Sequence, residues 1–227
     1  FHDSLHRGSL NSYALELLGI QKDTPNPSGG FISRQENGEP DGILEENAFT
    51  EAMEKLPKLT LQERVRQIEQ SQKIYASRGI TTVQEGATRS HQLEPILCAA
   101  QEKRLFLDVI SYPLEEFGLK KLAESPVGVY KNHLKLGGLK IFLDGGIPPQ
   151  TAWLSQPYQK VIGGKEPGYC GYPIRPDNEV VEFFKNCIKN DWQIMAHAIG
   201  DRTCDQFLNG YEQAVKECGE KKGKRPV

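Results

Sequence analysis

Residues 178–219 read NEVVEFFKNCIKNDWQIMAHAIGDRTCDQFLNGYEQAVKECG, and the spacing of their apolar residues changes twice. Val181, Phe184 and Ile188 share one face of a helix over Asn178 to Lys189. Gln193 to Ile199 then reads as a strand. From Thr203 a second helix places Cys204, Phe207, Leu208, Tyr211, Val215 and Cys218 on one stripe before Gly219 stops it. A strand between two amphipathic helices is the repeating unit of an α/β protein with a parallel sheet.

The same unit recurs upstream. Thr60 and Glu63 form a capping-box pair that opens a helix ending at Gly79, and Ile80 to Glu85 reads as the strand after it. Ser90 caps a helix to about Lys103, Leu105 to Tyr112 is a second strand, Leu114 to Ala123 a short helix, and Leu136 to Leu143 a third strand. Alternation alone leaves a doubly wound sheet and a barrel both open. Residues 1–58 differ: a short helix at Leu10 to Leu18 precedes Gly30 to Arg34 and Gly42 to Leu44, which flank the turn dipeptide Asn37-Gly38. They predict a small β-hairpin region set apart from an α/β domain over 59–227.

Composition narrows the function. With 37% hydrophobic and 26% charged residues the chain is of folded, globular type. A net charge of −2 supplies no basic field for nucleic acid or an anionic membrane, so neither is an expected partner. Five scattered cysteines lack the C-x-x-C spacing of zinc or redox sites and are expected reduced. No apolar run reaches the ~20 residues of a membrane span and no signal-peptide pattern opens the chain, which points to the cytoplasm. The chain starts at Phe1 without a methionine and ends in Lys-Arg-Pro-Val, so it reads as an internal piece of a longer protein.

Two strands carry the candidate chemistry. In LKIFLD, period two sets Lys140, Phe142 and Asp144 on one face and Leu139, Ile141 and Leu143 on the other, purely apolar one. A lysine inside such a fold loses hydration, which favours the neutral amine that acts as nucleophile, Schiff-base former or carbamate acceptor. Pairing with Asp144, or solvation at the strand end, is the ordinary alternative. His197 ends the strand of QIMAHAIGD, where an imidazole reaches a metal, and Asp201 is expected as the N-cap of the next helix. A structural histidine is the alternative there. The 32-residue stretch Gly145 to Pro176, with six glycines and six prolines, is too long for an ordinary connection, and in a parallel sheet it belongs at the catalytic end. No H-x-H, H-E-x-x-H, phosphate loop or G-x-S-x-G elbow is present.

Five segments together resemble the amidohydrolase superfamily, in its family 3 branch: HRGSLNSYALELLGI (His6 to Ile20), TPNPSGGFISRQENGEPDGILEENA (Thr24 to Ala48), GITTVQEG (Gly79 to Gly86), GLKIFLDGGIPPQT (Gly138 to Thr151) and AHAIGDR (Ala196 to Arg202). The resemblance implies a partial (β/α)8 TIM-type barrel, about strands two to five, with a small β-rich N-terminal insertion. It implies hydrolysis of an amide-like C–N bond, of N-acyl or N-formyl amine type, by water activated on one or two divalent metals, zinc by preference.

By the same resemblance Lys140 becomes a carbamylated metal bridge and His197 a metal ligand, with His6, Asp144 and Asp201 around the substrate. The family's remaining ligands and general base would lie before Phe1 and after Val227, so this chain alone is expected to be inactive and to hold no metal. Gln84 and Glu85 stand where many relatives carry His-Asp, which implies a different substrate choice. Two other readings stay open: a catalytically silent binding or regulatory domain of the same fold, and a lyase using Lys140 as a Schiff-base nucleophile. Half a barrel has open strand edges and is expected to self-associate.

Overall fold

The computed structural model describes residues 7–55, 58–148, 150–161, 166–219 and 226. The chain forms two compact units, Phe1–Leu59 and Thr60–Val227. Among the described residues no helix is long and apolar enough to cross a membrane, and all five cysteines are free.

In the first unit three strands make an antiparallel sheet in the order β1 (Arg7–Ser9), β3 (Pro40–Glu46), β2 (Gly30–Arg34). The expected hairpin is there: Gln35 and Glu39 close it with a 2.8 Å backbone bond, and Gly38 takes φ +86°, a conformation that suits glycine. Arg34 then donates to the carbonyls of Gln21, Lys22, Thr24 and Gly38, tying the preceding turn to the hairpin. The short helix α1 (Ser12–Leu17) is capped by the Asn11 side chain on the Ala14 amide at 2.9 Å. Strand β1 and helix α2 (Asn47–Lys55) were not foreseen from the sequence. Ala48, Phe49 and Ala52 of that helix cover Ile32 and Leu44, and so close the small core.

The second unit alternates as its sequence predicts: α3 (Leu61–Ala76), β4 (Thr82–Thr88), α4 (Ser90–Gln101), β5 (Asp108–Pro113), α5 (Glu115–Ala123), β6 (Leu134–Leu136), β7 (Gly138–Phe142), α6 (Asp177–Lys189), β8 (Gln193–His197) and α7 (Asp201–Cys218). All its strand pairs are parallel, in the orders β4-β5-β6 and β7-β8. A parallel bridge between Leu114 and Lys140 joins the two sets, so neighbours follow chain order without reversal. Both bonds of the Thr60–Glu63 capping box form. The buried amide of Gln72 accepts from the Phe106 and Leu107 amides at 2.8 and 3.1 Å, seating the turn into β5.

Two expectations need correction. The single strand foreseen at Leu136 to Leu143 is two pieces, because the backbone changes partner at Gly137-Gly138. Gly137 still donates to Ser111 of β5 at 2.9 Å, whereas Gly138 already lies so close to Gln193 of β8 that a Cβ there would overlap its backbone. The stripe foreseen on α7 holds in part: Phe207, Tyr211, Val215 and Cys218 pack against the core. Thr203, Gln206, Gly210 and Ala214 are the helix's buried residues, while Leu208 and Cys204 are exposed. Gly210 faces Val180 and Phe184 of α6 across the helix contact. Phe207 and Tyr211 then flank the contact and meet the Phe184 ring edge-on.

Leu139, Ile141, Phe184 and Ile194 are at most 3% exposed and form one core with Leu143 and Val180. Burial of each contributes roughly 1.5–3 kcal/mol. That core fixes which face of β7 and β8 looks away from the helices.

Candidate active site

The alternate residues of those two strands share the other face. In register, Lys140 stands beside Met195 and Phe142 beside His197. Leu139, Ile141, Ile194 and Ala196 are taken by the helix-side core, so pleating turns Lys140, Phe142, Met195 and His197 to the opposite side. Nothing but strand period and one buried layer is needed to bring the lysine and the histidine together.

Lys140 is 8% exposed, and burial pushes its ammonium below the usual lysine range. Its Nζ lies 5.1 Å from the centre of the Phe142 ring. Among the described residues no carboxylate pairs with it at ion-pair distance. The alternative of a Lys140–Asp144 pair fails because Asp144 is engaged elsewhere.

Asp144 has no exposed surface. Its Oδ1 accepts from the Ile199 amide at 3.0 Å, and its Oδ2 accepts from the Trp153 amide at 3.1 Å, the Gly200 amide at 2.8 Å and the Thr203 hydroxyl at 2.7 Å. The substrate-contacting role expected for it is therefore corrected: protein donors fill its acceptor sites, and it sits behind the rim rather than on it.

His197 is half-buried, its ring tilted 48° to that of Phe142 with centroids 5.2 Å apart. Its Nε2 lies 2.9 Å from the Gly145 carbonyl. A carbonyl only accepts, so Nε2 carries the proton and Nδ1 is left as the basic nitrogen. A histidine whose second nitrogen is fixed by a backbone carbonyl is the arrangement that orients metal-ligating imidazoles.

Asp201 is displaced from its expected place by one residue. Gly200 occupies the N-cap of α7, and Asp201 begins the helix. Its Oδ1 accepts from the Ser155 amide at 2.7 Å and its Oδ2 from the Ser155 hydroxyl, which together hold the carboxyl below its usual range. One residue on, the Arg202 guanidinium stacks 5.6 Å from the Trp153 ring. Trp153, Ser155 and Thr203, none of them singled out from the sequence, thus build the contact between the loop after Asp144 and the turn after His197. Their legible signal was weak: a lone Trp in a Gly- and Pro-rich stretch, and a Thr three residues past a helix cap.

That loop is folded on itself. Gly146 and Thr151 bond reciprocally, Leu154 donates to Cys170 at 2.7 Å, Tyr158 stacks on Tyr169, and Ile174 returns to the Leu143 carbonyl at 2.7 Å. His6, expected at the substrate pocket, lies outside the described residues.

The donor set suits a metal in kind but is short in number. Lys140 and His197 share a face, and among the described residues no group of three or more His, Cys, Asp or Glu converges on one point. Further donors would have to come from beyond these residues.

Known proteins resemble this chain in sequence and in fold. The amidohydrolase family profile matches residues 2–227. Protein LONG AFTER FAR-RED 3 of Arabidopsis thaliana is 25% identical over 95% of this chain and 38% of its own length, and the putative amidohydrolase YtcJ of Bacillus subtilis is 25% identical over 92% and 39%. N-substituted formamide deformylase of Arthrobacter pascens is 51% identical over 45 residues, 20% of this chain and 8% of its own. Among solved structures, an uncharacterized metal-dependent hydrolase from Pyrococcus furiosus superposes with a TM-score of 0.69 at 27% identity, over 92% of this chain and 42% of that one. The chain thus spans about two fifths of the length of the first two relatives.

Proposed function

The chain belongs to the amidohydrolase family, and from that membership we propose that it supplies strands two to five of a (β/α)8 barrel whose active site hydrolyses an amide-like C–N bond. Strand neighbours in unbroken chain order support a barrel over a doubly wound sheet, which would reverse its order about a switch point. The observation that carries the proposal is that a buried lysine, with no carboxylate partner among the described residues, shares one face of neighbouring strands with an oriented histidine.

Lys140 and His197 would hold the divalent metal, zinc by preference, with one or two ions completed by donors from the rest of a longer protein. When bound, the metal lowers the pKa of a coordinated water toward about 7 and polarises the substrate carbonyl. The chain's own residues do the rest. The dehydrated surroundings of Lys140 lower its pKa and so favour the neutral amine, the form that takes up carbon dioxide as a carbamate. The Gly145 carbonyl keeps the proton on Nε2 of His197. Trp153 and Ser155 anchor the segment after Gly145 to Asp144 and Asp201 at the strand ends. An N-acyl or N-formyl amine is the proposed substrate class, in line with the name of the Arthrobacter relative.

Elemental analysis tests this directly. The 227-residue chain and a longer form extended at both ends, each purified without chelator, are to be assayed on N-formyl and N-acyl amines. One or two metal equivalents and turnover in the longer form only are the expected result; no metal and no turnover in either would remove the hydrolase reading. It would favour instead a binding or regulatory domain, a reading that the two-donor count keeps in play.

The outer edges of β4 and β8 carry no strand partner among the described residues. Self-association of the 227-residue chain follows, measurable by light scattering as a mass above that of one chain. A clean monomer that binds no exposed-surface dye contradicts it.

A further inference from the structure

Asp144 is the one carboxylate in the described structure with no exposed surface, and four donors from three separate places converge on it: Trp153 in the loop after β7, Ile199 and Gly200 in the turn after β8, and Thr203 in the first turn of α7. It also sits at the N-terminal end of an 18-residue helix, where a negative charge is favoured. The next residue, Gly145, supplies the carbonyl that receives Nε2 of His197. One carboxylate therefore holds both the segment carrying the imidazole and the segment setting its proton.

We infer that Asp144 is a positioning residue that couples docking of the 145–176 loop to the tautomer and orientation of His197. The inference rests on the reading of His197 as a site residue, but the coupling is a property of the fold and is measured without catalysis. When the loop is docked, Gly145 is held against the imidazole, Nε2 keeps its proton, and Nδ1 faces the site as the basic nitrogen. When the loop leaves, the two tautomers compete and the ring loses its fixed direction. An asparagine of the same shape breaks the device. Whichever way its amide is turned, an N–H faces either the Ile199 N–H or the three donors on the other oxygen. A carboxylate is needed, not merely a polar side chain of that size.

The test uses Asp144→Asn and, as a milder variant, Thr203→Val, which removes one donor while keeping the carboxylate. Nitrogen-15 shifts of the His197 ring report the tautomer, and limited proteolysis at Lys160 reports loop docking. Asp144→Asn is expected to turn a single Nε2–H form into a mixture and to speed loop cleavage about 10-fold, with smaller changes of the same sign for Thr203→Val. In the longer protein, turnover or metal affinity should fall about 10- to 100-fold, the usual range for groups that orient a ligand. A purely structural role would lower thermal stability yet leave the tautomer ratio of the folded molecules unchanged, and that result overturns the inference. Should Asp144→Asn not fold, Thr203→Val decides: an unchanged tautomer and unchanged cleavage overturn it equally. If the coupling appears but His197→Ala leaves metal content and turnover intact, the functional reading falls while the coupling stands.

Discussion

Lys140→Met is expected to reduce amide hydrolysis by the longer protein at least about 1000-fold while leaving the fold as stable as before, or more so. The first half follows from the proposed chemistry: the amine would take up carbon dioxide and hold the metal through the carbamate oxygens, and methionine, of similar length, cannot form a carbamate. The second half follows from burial. Lys140 is 8% exposed, its ammonium is disfavoured there, and its nearest aromatic neighbour, Phe142, compensates only weakly.

The folded pKa of Lys140 lies below the unfolded value of about 10.4, so between the two the unfolded chain binds more protons and stability rises with pH. The full stability is present above the unfolded pKa and is lost as pH falls through the folded one. At pH 7 the wild type therefore bears the cost of a buried charge that methionine removes. Calorimetry at pH 7 should show the variant at an equal or higher melting temperature, by about 2–4 °C for each kcal/mol recovered, and the gap should narrow as pH approaches 10.5. Full turnover by the variant would end the metal role of Lys140. A melting temperature several degrees lower would show that the ammonium is satisfied by contacts stronger than those seen.

Why the lysine and histidine were legible in the sequence, and Asp144's role was not, has a physical cause. Strand period and one apolar face are local properties, so LKIFLD and QIMAHAI are enough to place Lys140 and His197 on the face opposite the core. The destination of a carboxylate's hydrogen bonds is not local. Asp144 follows the same alternation, and that suggested a residue facing the site, but its partners are backbone amides 9, 55 and 56 residues away and a hydroxyl 59 away. The split at Gly137-Gly138 was hidden for the same reason, since it depends on the approach of Gln193. In α7 the apolar stripe found the residues that pack against the core, Phe207, Tyr211, Val215 and Cys218, but not the deeper burial of Thr203, Gln206 and Gly210, which an apolar pattern does not count. The helix-strand alternation of 60–218 survives because each element carries its own period; α2 was missed because NAFTEAMEK follows a strand directly, with only Asn47 to mark the change.

Gly200→Ala is the second substitution expected to have a large effect, and it isolates the docking of the loop from the chemistry of the metal. Gly200 has φ −72° and ψ 149°, a backbone that any residue adopts, so alanine meets no conformational penalty of its own. The obstacle is space. A Cβ at this position would overlap the Trp153 carbonyl and the backbone around it, which, unlike the end of a flexible side chain, cannot swing away. Either the loop lifts, breaking the Trp153–Asp144 and Ser155–Asp201 bonds, or the start of α7 shifts and takes Thr203 with it. Overpacking of this kind costs about 1–3 kcal/mol, a lowering of the melting temperature by about 2–4 °C per kcal/mol in a domain of this size. Turnover in the longer protein should fall at least about 10-fold, because the Gly145 carbonyl moves with the loop. Gly210→Ala is the matched control on the same helix: its Cβ would meet Phe184 and Val180 at 3.4 Å, an ordinary contact. Alanine in a helix interior gains about 0.5–1 kcal/mol over glycine, so this variant should melt at the same temperature or higher and keep its activity. If the two alanines behave alike, close approach at Gly200 is not what holds the loop against the strand ends.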